Sequence, residues 1–217
     1  MNTTRKPLSG LLLYFLYSAG GKLAISFLQT IAWGIAFLFT GNVWVHMIFG
    51  INAIAGAALI VIVGMGNKEV DWERFQLTMP VRRNDMIRSQ FMSIALASLV
   101  GVPLFVIITG LSVLFHETAY FTLTTVFVSM APFLATPFIL GGLLFPLMCI
   151  KSLENKQDGF FSLLFLAAIG IPQLITWGAG RLGWSVEIAS LLTLVVSLVI
   201  FIVSFFITKK LYAKMDF

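Results

Sequence analysis

The sequence predicts an all-α membrane protein whose six transmembrane helices form a single domain (residues 1–217), and three observations support this. Of its 217 residues, 59% are apolar and 11% charged, whereas soluble domains average about 45–50% and about 25%. Six segments are apolar over the roughly 20 residues that a spanning helix needs. Every basic residue except Arg181 falls on one side of the alternating spans. Together these features exclude a soluble enzyme, a free nucleic-acid binder and a disordered chain.

Short connections join the six predicted spans, so no soluble module is expected. The spans cover residues 23–39, 43–66, 91–115, 120–150, 160–178 and 185–208. Because lysine and arginine concentrate in cytoplasmic segments, the one-sided bases place both termini in the cytoplasm. Four aromatic residues fall at the opposite interface, where amphipathic rings prefer to lie: Trp44, Tyr120, Trp177 and Trp184.

Residues 1–22 precede the first span and contain apolar side chains at helical spacing, flanked by Arg5, Lys6 and Lys22. This pattern is typical of a helix that lies in the cytoplasmic membrane interface. It also fits an early start of a tilted first span. The apolar run has no convincing small-residue cleavage site, so we expect it to remain in the mature chain.

The fourth and fifth spans contain residues that weaken helices, which makes those residues candidates for kinks along a translocation path. The fourth span includes three prolines, among them Pro132 and Pro137. Each proline removes a helix hydrogen bond, so we expect this long span to be kinked, tilted or extended into the headgroups. The fifth span contains Gly170 and Pro172. Residues 170–184 fit either a re-entrant outer segment or a simple proline kink packed on a neighbour.

No residues combine into a catalytic, cofactor or metal site. His46 and His116 are far apart and lack the further ligands that a metal site needs. The glycine pair before Lys22 is followed by Leu23, which is not the pattern of a phosphate-binding loop. No span core contains a carboxylate, so proton-coupled transport is disfavoured, while a sodium site made of carbonyls and hydroxyls stays open. Energy for active transport would therefore come from another polypeptide.

One long polar segment, residues 67–90, joins the second and third spans on the predicted cytoplasmic side. Its first part predicts a short amphipathic helix, because apolar side chains recur at spacings of three and four from Trp72 and Phe75. Pro80 ends this helix, and a second helix is expected to start near Asp85 and continue into the third span. The amphipathic helix fits a docking element for a partner protein. It equally fits a helix that rests on lipid headgroups.

The same segment and the start of the third span contain a recognisable set of residues: Trp72, Phe75, Leu77, Pro80, Val81, Arg83, Asp85, Met86, Ile87, Ser89 and Phe91. This set resembles the loop of small bacterial ABC exporter permeases of the type-two class. Permeases of that class have about this length, six spans and both termini inside. They resemble the membrane subunits of peptide-toxin exporters, such as the phenol-soluble modulin exporter, and of bacteriocin-resistance systems.

The resemblance implies a coupling helix over residues 71–79 that sits in a groove of a separate ATPase subunit. Two permeases, identical or paired homologues, would work with two such ATPases in a bacterial cytoplasmic membrane. ATP and Mg²⁺ would bind the ATPases, and this chain would hold no cofactor. The coupling residues implied by the resemblance are Asp71, Trp72, Phe75, Leu77, Met79, Pro80, Arg83 and Asp85.

These observations favour the permease subunit of an ATP-driven exporter. A phenylalanine-rich chain without buried charge suits amphipathic or hydrophobic peptides or drugs as cargo. One alternative is the substrate-binding membrane subunit of a vitamin importer, which has a similar size and number of spans. Another is a non-transporting membrane scaffold or immunity protein. Membrane lipid and an ATPase are the expected partners, and no nucleic acid is expected.

Overall fold

The computed structural model describes residues 20–66, 83–116, 123–149 and 157–213, and the bundle in these ranges is helical. Its six helices are α1 (Gly20–Thr40), α2 (residues 43–66), α3 (Arg83–His116), α4 (Leu123–Met148), α5 (Gln157–Arg181) and α6 (Val186–Ala213). Each contains a stretch long and apolar enough to cross a membrane, which confirms the predicted six-span architecture. The predicted N-terminal helix lies almost entirely outside the described residues, as does the part of the loop that precedes Arg83.

Helix α2 is divided into three parts, which the sequence pattern does not predict. Regular α-helical turns form Val43–Gly50 and Ala57–Gly66, and a π-helical turn forms Ile51–Gly56 between them. The side-chain amide of Asn52 donates a hydrogen bond of 2.8 Å to the carbonyl oxygen of Ile48. A wide turn of this kind is rare, and it is found mostly as a single turn inside an α-helix, frequently at functional sites.

Helix α3 begins at Arg83, well before the apolar span predicted for residues 91–115, as expected for a second loop helix that continues into the membrane. Its 34 residues correspond to roughly 51 Å at 1.5 Å per residue, against a hydrocarbon core of about 30 Å. Met86 and Ile87 are buried in its first turns. Asp85 lies in the first turn, where the helix dipole favours a negative charge. The helix therefore projects beyond the apolar layer at one end.

The two ends of the bundle differ in chemistry. We call one the basic end, because it carries Lys22, Arg83, Arg88, Lys209 and Lys210. We call the other the tryptophan end, because it carries Trp44, Trp177 and Trp184. Among the described residues, Arg181 is the one lysine or arginine at this end. This separation places the described bases as the sequence pattern predicts.

Two clusters of buried apolar side chains hold the helices together, one toward each end. The tryptophan-end core joins α1, α2, α3 and α4 through Phe37, Phe49, Ala53, Ile54, Phe105, Ile108, Phe133 and Leu134. The basic-end core joins α2, α3, α4 and α5 through Ala58, Val61, Ile62, Ile87, Phe91, Ile94, Ala97, Ala135, Ile139, Leu140, Leu144, Phe145, Leu164 and Ala168. Phenylalanines of α6 pack against the basic-end core. Helices α2, α3 and α4 therefore contribute buried residues to both cores, and α6 also reaches both, since its Leu194 packs against the tryptophan-end core.

Helix α4 remains one continuous helix although it contains three prolines. The last of these, Pro146, has no N–H to give to the carbonyl of Gly142, four residues earlier. The hydroxyl of Ser204 on α6 donates a hydrogen bond to that carbonyl instead. Gly142 also lets the backbone of α6 come close, since an added Cβ would lie 3.4 Å from the Cα of Phe201. The neighbouring helix α6 thus supplies the hydrogen-bond donor that the Gly142 carbonyl would otherwise lack in a membrane interior.

We expect Ser204→Ala to destabilise the protein by about 1–2 kcal/mol, because it leaves the buried Gly142 carbonyl without a donor. Ser197→Ala is the matched control. Ser197 is also buried on α6, but its hydroxyl donates within the same helix to the carbonyl of Leu194. Thermal unfolding of the purified variants in detergent measures the difference. Equal midpoints for the two variants would contradict the proposed role of Ser204.

Helix α5 continues through Gly170 and Pro172 to Arg181, so the re-entrant segment considered for residues 170–184 is not formed. Pro172 is buried, and a proline packed in this way can be kept inside a transmembrane helix. The helix ends at a tight turn in which Gly183 has a φ of 72°. The N–H of Trp184 donates to the carbonyl of Ala179 at 2.9 Å. This hydrogen-bond pattern is typical of helices that end at a glycine. The turn leads directly from α5 into α6.

Candidate coupling and translocation elements

The predicted coupling helix follows α2 at the basic end, and residues 71–80 lie outside the described part of the chain. Both described helices next to it are firmly packed. Val61 and Ile62 are buried near the end of α2, and Met86 and Ile87 are buried at the start of α3. A force applied to the intervening segment would therefore reach the packed interior of the bundle through the end of α2 and the start of α3.

Two predicted coupling residues, Arg83 and Asp85, are described. Arg83 is the first residue of α3, and Asp85 is half-buried in its first turn. Ser89, one turn further along, donates a hydrogen bond of 2.7 Å to the carbonyl of Met86. The structure thus places both residues at the membrane-facing end of the segment that the resemblance assigns to coupling. Their contact with an ATPase stays a prediction.

The residues predicted to kink a translocation path lie inside the bundle. On α4, Pro137 is fully buried and Pro132 is half-buried. On α5, Pro172 is buried and Gly170 is half-buried. Ile171, between them, packs against the basic-end core. Pro137 and Pro172 therefore belong to packed surfaces of α4 and α5, whereas a Cβ added at Gly170 would meet open space. The role of these residues in translocation stays a prediction.

Hydroxyl groups supply most of the polarity of the described interior. The buried serines and threonines are Ser26, Thr30, Ser89, Ser93, Ser98, Thr109, Ser112, Ser190, Thr193, Ser197, Ser204 and Thr208. Several donate to a carbonyl three or four residues earlier in their own helix, as Ser93 does to Ser89 at 2.7 Å. His46 is the one ionisable side chain among the buried residues of the described ranges. A bundle of this kind has a polar interior that does not depend on buried charge.

The two histidines, which are 70 positions apart in the sequence, both contact the last turn of α1 at the tryptophan end. The ring of His46 lies 4.7 Å from that of Phe37 and 5.2 Å from that of Phe105. Its Nε2 is 3.4 Å from the hydroxyl oxygen of Thr109. His116 Nε2 donates a hydrogen bond of 2.8 Å to the carbonyl of Leu38. The pair therefore fastens α1 to α2 and α3.

This fastening role was not predicted from the sequence, which indicated only that the histidines lack further metal ligands. A signal was nevertheless present, since each histidine stands near a predicted outer end of a span: His46 follows the turn at Gly41, and His116 follows the third span. A helix that ends there leaves carbonyl groups without intrahelical partners. Within the described ranges, no group of three or more metal-ligating side chains comes together.

Glycine brings the backbones of α2 and α3 together at the π-helical turn. A Cβ at Gly101 would overlap the carbonyl group of Ala53 and would lie 3.0 Å from the Cα of Ile54. Gly50, which precedes the turn, faces the ring of Phe133, and Gly56, its last residue, faces the hydroxyl of Ser26. The turn is therefore bordered by α1, α3 and α4, and very little side-chain volume separates its backbone from that of α3.

A family model described as "ABC-2 family transporter protein" matches residues 10–213, a range that includes all six helices. Searches of curated proteins and of solved structures found no match. The matched family and the six apolar helices agree with each other, and the family implies a partner ATPase. The chain is thus a multi-pass membrane permease subunit of an ABC transporter, and it belongs to the ABC-2 family.

Proposed function

We propose that this permease exports amphipathic or hydrophobic peptides or drugs across a bacterial cytoplasmic membrane. Two copies, or one copy and a paired homologue, work with two cytoplasmic ATPase subunits. ATP and Mg²⁺ bind the ATPases, and the permease itself contributes no catalytic group. Both termini and the basic end face the cytoplasm, consistent with the distribution of lysine and arginine.

The observation that carries this proposal is the packing at both ends of the segment 67–82. Its predicted amphipathic helix presents Trp72 and Phe75, the kind of aromatic anchors that dominate protein interfaces. The helices on either side are fixed in the basic-end core through Ile62 and Ile87. Movement of an ATPase that holds the segment would therefore displace α2 and α3 together.

The proposed cargo follows from the chemistry of the interior. Phenylalanine rings line the contact of α3, α4 and α6, with Phe91 lying 4.7 Å from Phe145 and 4.9 Å from Phe201. Buried hydroxyls such as Ser93 and Ser197 lie on the same helices. Aromatic rings with scattered hydroxyls bind molecules that combine apolar and polar faces. An amphipathic peptide has this character, whereas a small inorganic ion does not.

Co-purification from the native membrane tests the proposal. The tagged chain should retain a stand-alone ABC ATPase, and ATP hydrolysis by the reconstituted complex should rise severalfold with an amphipathic helical peptide. A scrambled peptide of equal composition that cannot form an amphipathic helix is the control. Absence of an ATPase, or equal stimulation by both peptides, would contradict the proposal. Tight binding of riboflavin or another single vitamin by the chain alone would instead favour an importer subunit.

A further inference from the structure

Helices α2, α3 and α4 each change from one core to the other near the middle of the helix. In α2, Ile54 belongs to the tryptophan-end core and Ala58 to the basic-end core. In α3, the change falls between Ala97 and Phe105, and in α4 it falls directly after Leu134. The contact of Gly101 with Ala53 and Ile54 shows that the boundaries in α2 and α3 coincide.

Each of the three helices is also weakened at or next to this boundary. In α2, residues 51–56 form the π-helical turn, a kind of interruption at which helices kink. In α3, Gly101 is followed by Pro103, which cannot donate to the carbonyl of Leu99. In α4, Pro137 lies within three residues of Leu134 and likewise removes a hydrogen bond. Helix bends occur at such positions.

The packing at the boundary differs from that within the cores. Inside each core, phenylalanine, leucine and isoleucine side chains interdigitate, and a close-packed interior of this kind resists gradual deformation. At the boundary, the backbone of α3 at Gly101 rests directly on the backbone of α2 at Ala53. Few side chains would need to repack if one backbone rotated slightly over the other.

We propose that residues 51–56, Gly101 to Pro103, and Pro137 form a hinge between two rigid blocks of the permease, each built around one core. The inference extends the proposed function, on which it rests. The segment 67–82 is attached to the basic-end block, so an ATPase that moves it rotates this block against the tryptophan-end block. The motion belongs to the hinge class of domain movements, in which a few positions absorb the change in backbone angles.

Distances between spin labels test the hinge in the full chain bound to its ATPase in lipid nanodiscs. Cysteines replace exposed residues in a background in which Cys149 is replaced by Ser. The pair Leu114 and Leu163 spans the two blocks, Met92 and Leu163 lie on the basic-end block, and Phe39 and Leu114 lie on the tryptophan-end block. Trapping with ATP and orthovanadate should shift the spanning distance by several ångströms. The distances within each block should stay unchanged.

Two substitutions on α3 separate the hinge from a general effect on the helix. Pro103→Ala restores a donor for the Leu99 carbonyl at an exposed position, so it should stiffen the hinge without disturbing the cores. It should reduce the nucleotide-driven shift of the spanning pair at least about threefold. Gly110→Ala also favours the helix, at a position where an added Cβ meets nothing within 4 Å. This control should leave the shift intact.

The results of these measurements test the hinge separately from the proposed function. Equal changes in all three pairs, no change in the spanning pair of an ATPase-bound complex, or a full shift in Pro103→Ala would each overturn the hinge. If no ATPase binds, the proposed function fails, and the isolated chain still tests the hinge. Its spanning pair should then show a broader distance distribution than either pair within a block, and an equally narrow distribution would overturn the inference.

Discussion

Gly101→Ala is expected to destabilise the permease by about 3 kcal/mol or more, near the upper end of the range for overpacked interiors. The added methyl group would overlap the carbonyl of Ala53, which is backbone and cannot turn aside as a flexible side chain could. Helices α2 and α3 would have to separate at the π-helical turn. For a protein of this size, the thermal midpoint in detergent should fall by roughly 10 °C.

Gly110→Ala provides the matched control for this prediction. It makes the same chemical change on the same helix, nine residues further along, where the added methyl group finds open space. Alanine favours a helix over glycine by roughly 0.5–1 kcal/mol, so this variant should be as stable as the parent or slightly more so. If the Gly101→Ala variant had the same thermal midpoint as Gly110→Ala, the backbones of α2 and α3 would not be in contact at Gly101.

Replacing Trp72 and Phe75 together by alanine should abolish retention of the ATPase while leaving membrane insertion unchanged. Aromatic anchors at the centre of an interface commonly contribute about 2 kcal/mol or more each, so we expect the loss of both to lower the affinity several hundredfold. In the sequence, both residues fall in the segment that joins α2 to α3. Pull-down of the ATPase, quantified against the amount of permease recovered, measures the effect.

The control for the double variant removes a tryptophan and a phenylalanine from the opposite end. Phe39 and Trp44 are 82% and 77% exposed, so their replacement by alanine removes a comparable apolar surface without disturbing a core. ATPase retention should be unchanged in this control. Equal retention by both double variants would favour the interpretation of residues 67–90 as a loop that rests on lipid.

The six spans could be predicted from sequence because the membrane imposes a simple rule of length and apolarity. The rule also predicts how the ends differ, since Arg181 is the one base expected at the tryptophan end. It is less informative for α3, where Met86 and Ile87 alternate with polar residues such as Arg88. These turns lie beyond the predicted apolar span, and they are stabilised by burial of Met86 and by packing of Ile87 in the basic-end core, which periodicity alone does not show.

Features that depend on contacts between helices could not be predicted in this way. The π-helical turn has an unremarkable apolar sequence, and its position becomes meaningful only when Gly101 is seen against it. Proline residues in α4 and α5 indicate weakened helices, but they do not reveal that Ser204 replaces one missing donor. The presence of Gly170 and Pro172 likewise fits both a re-entrant segment and a continuous helix, and the structure shows the continuous helix.

Labelling of a cysteine at position 72 with a membrane-impermeant maleimide tests most directly whether an ATPase can reach the permease from the cytoplasm. Trp72→Cys is introduced with Cys149 replaced by Ser, and Trp184→Cys, at the exposed tryptophan end, serves as the comparison. We predict that intact cells label position 184 but not position 72, and that permeabilised cells label both. Labelling of position 72 in intact cells would contradict the account.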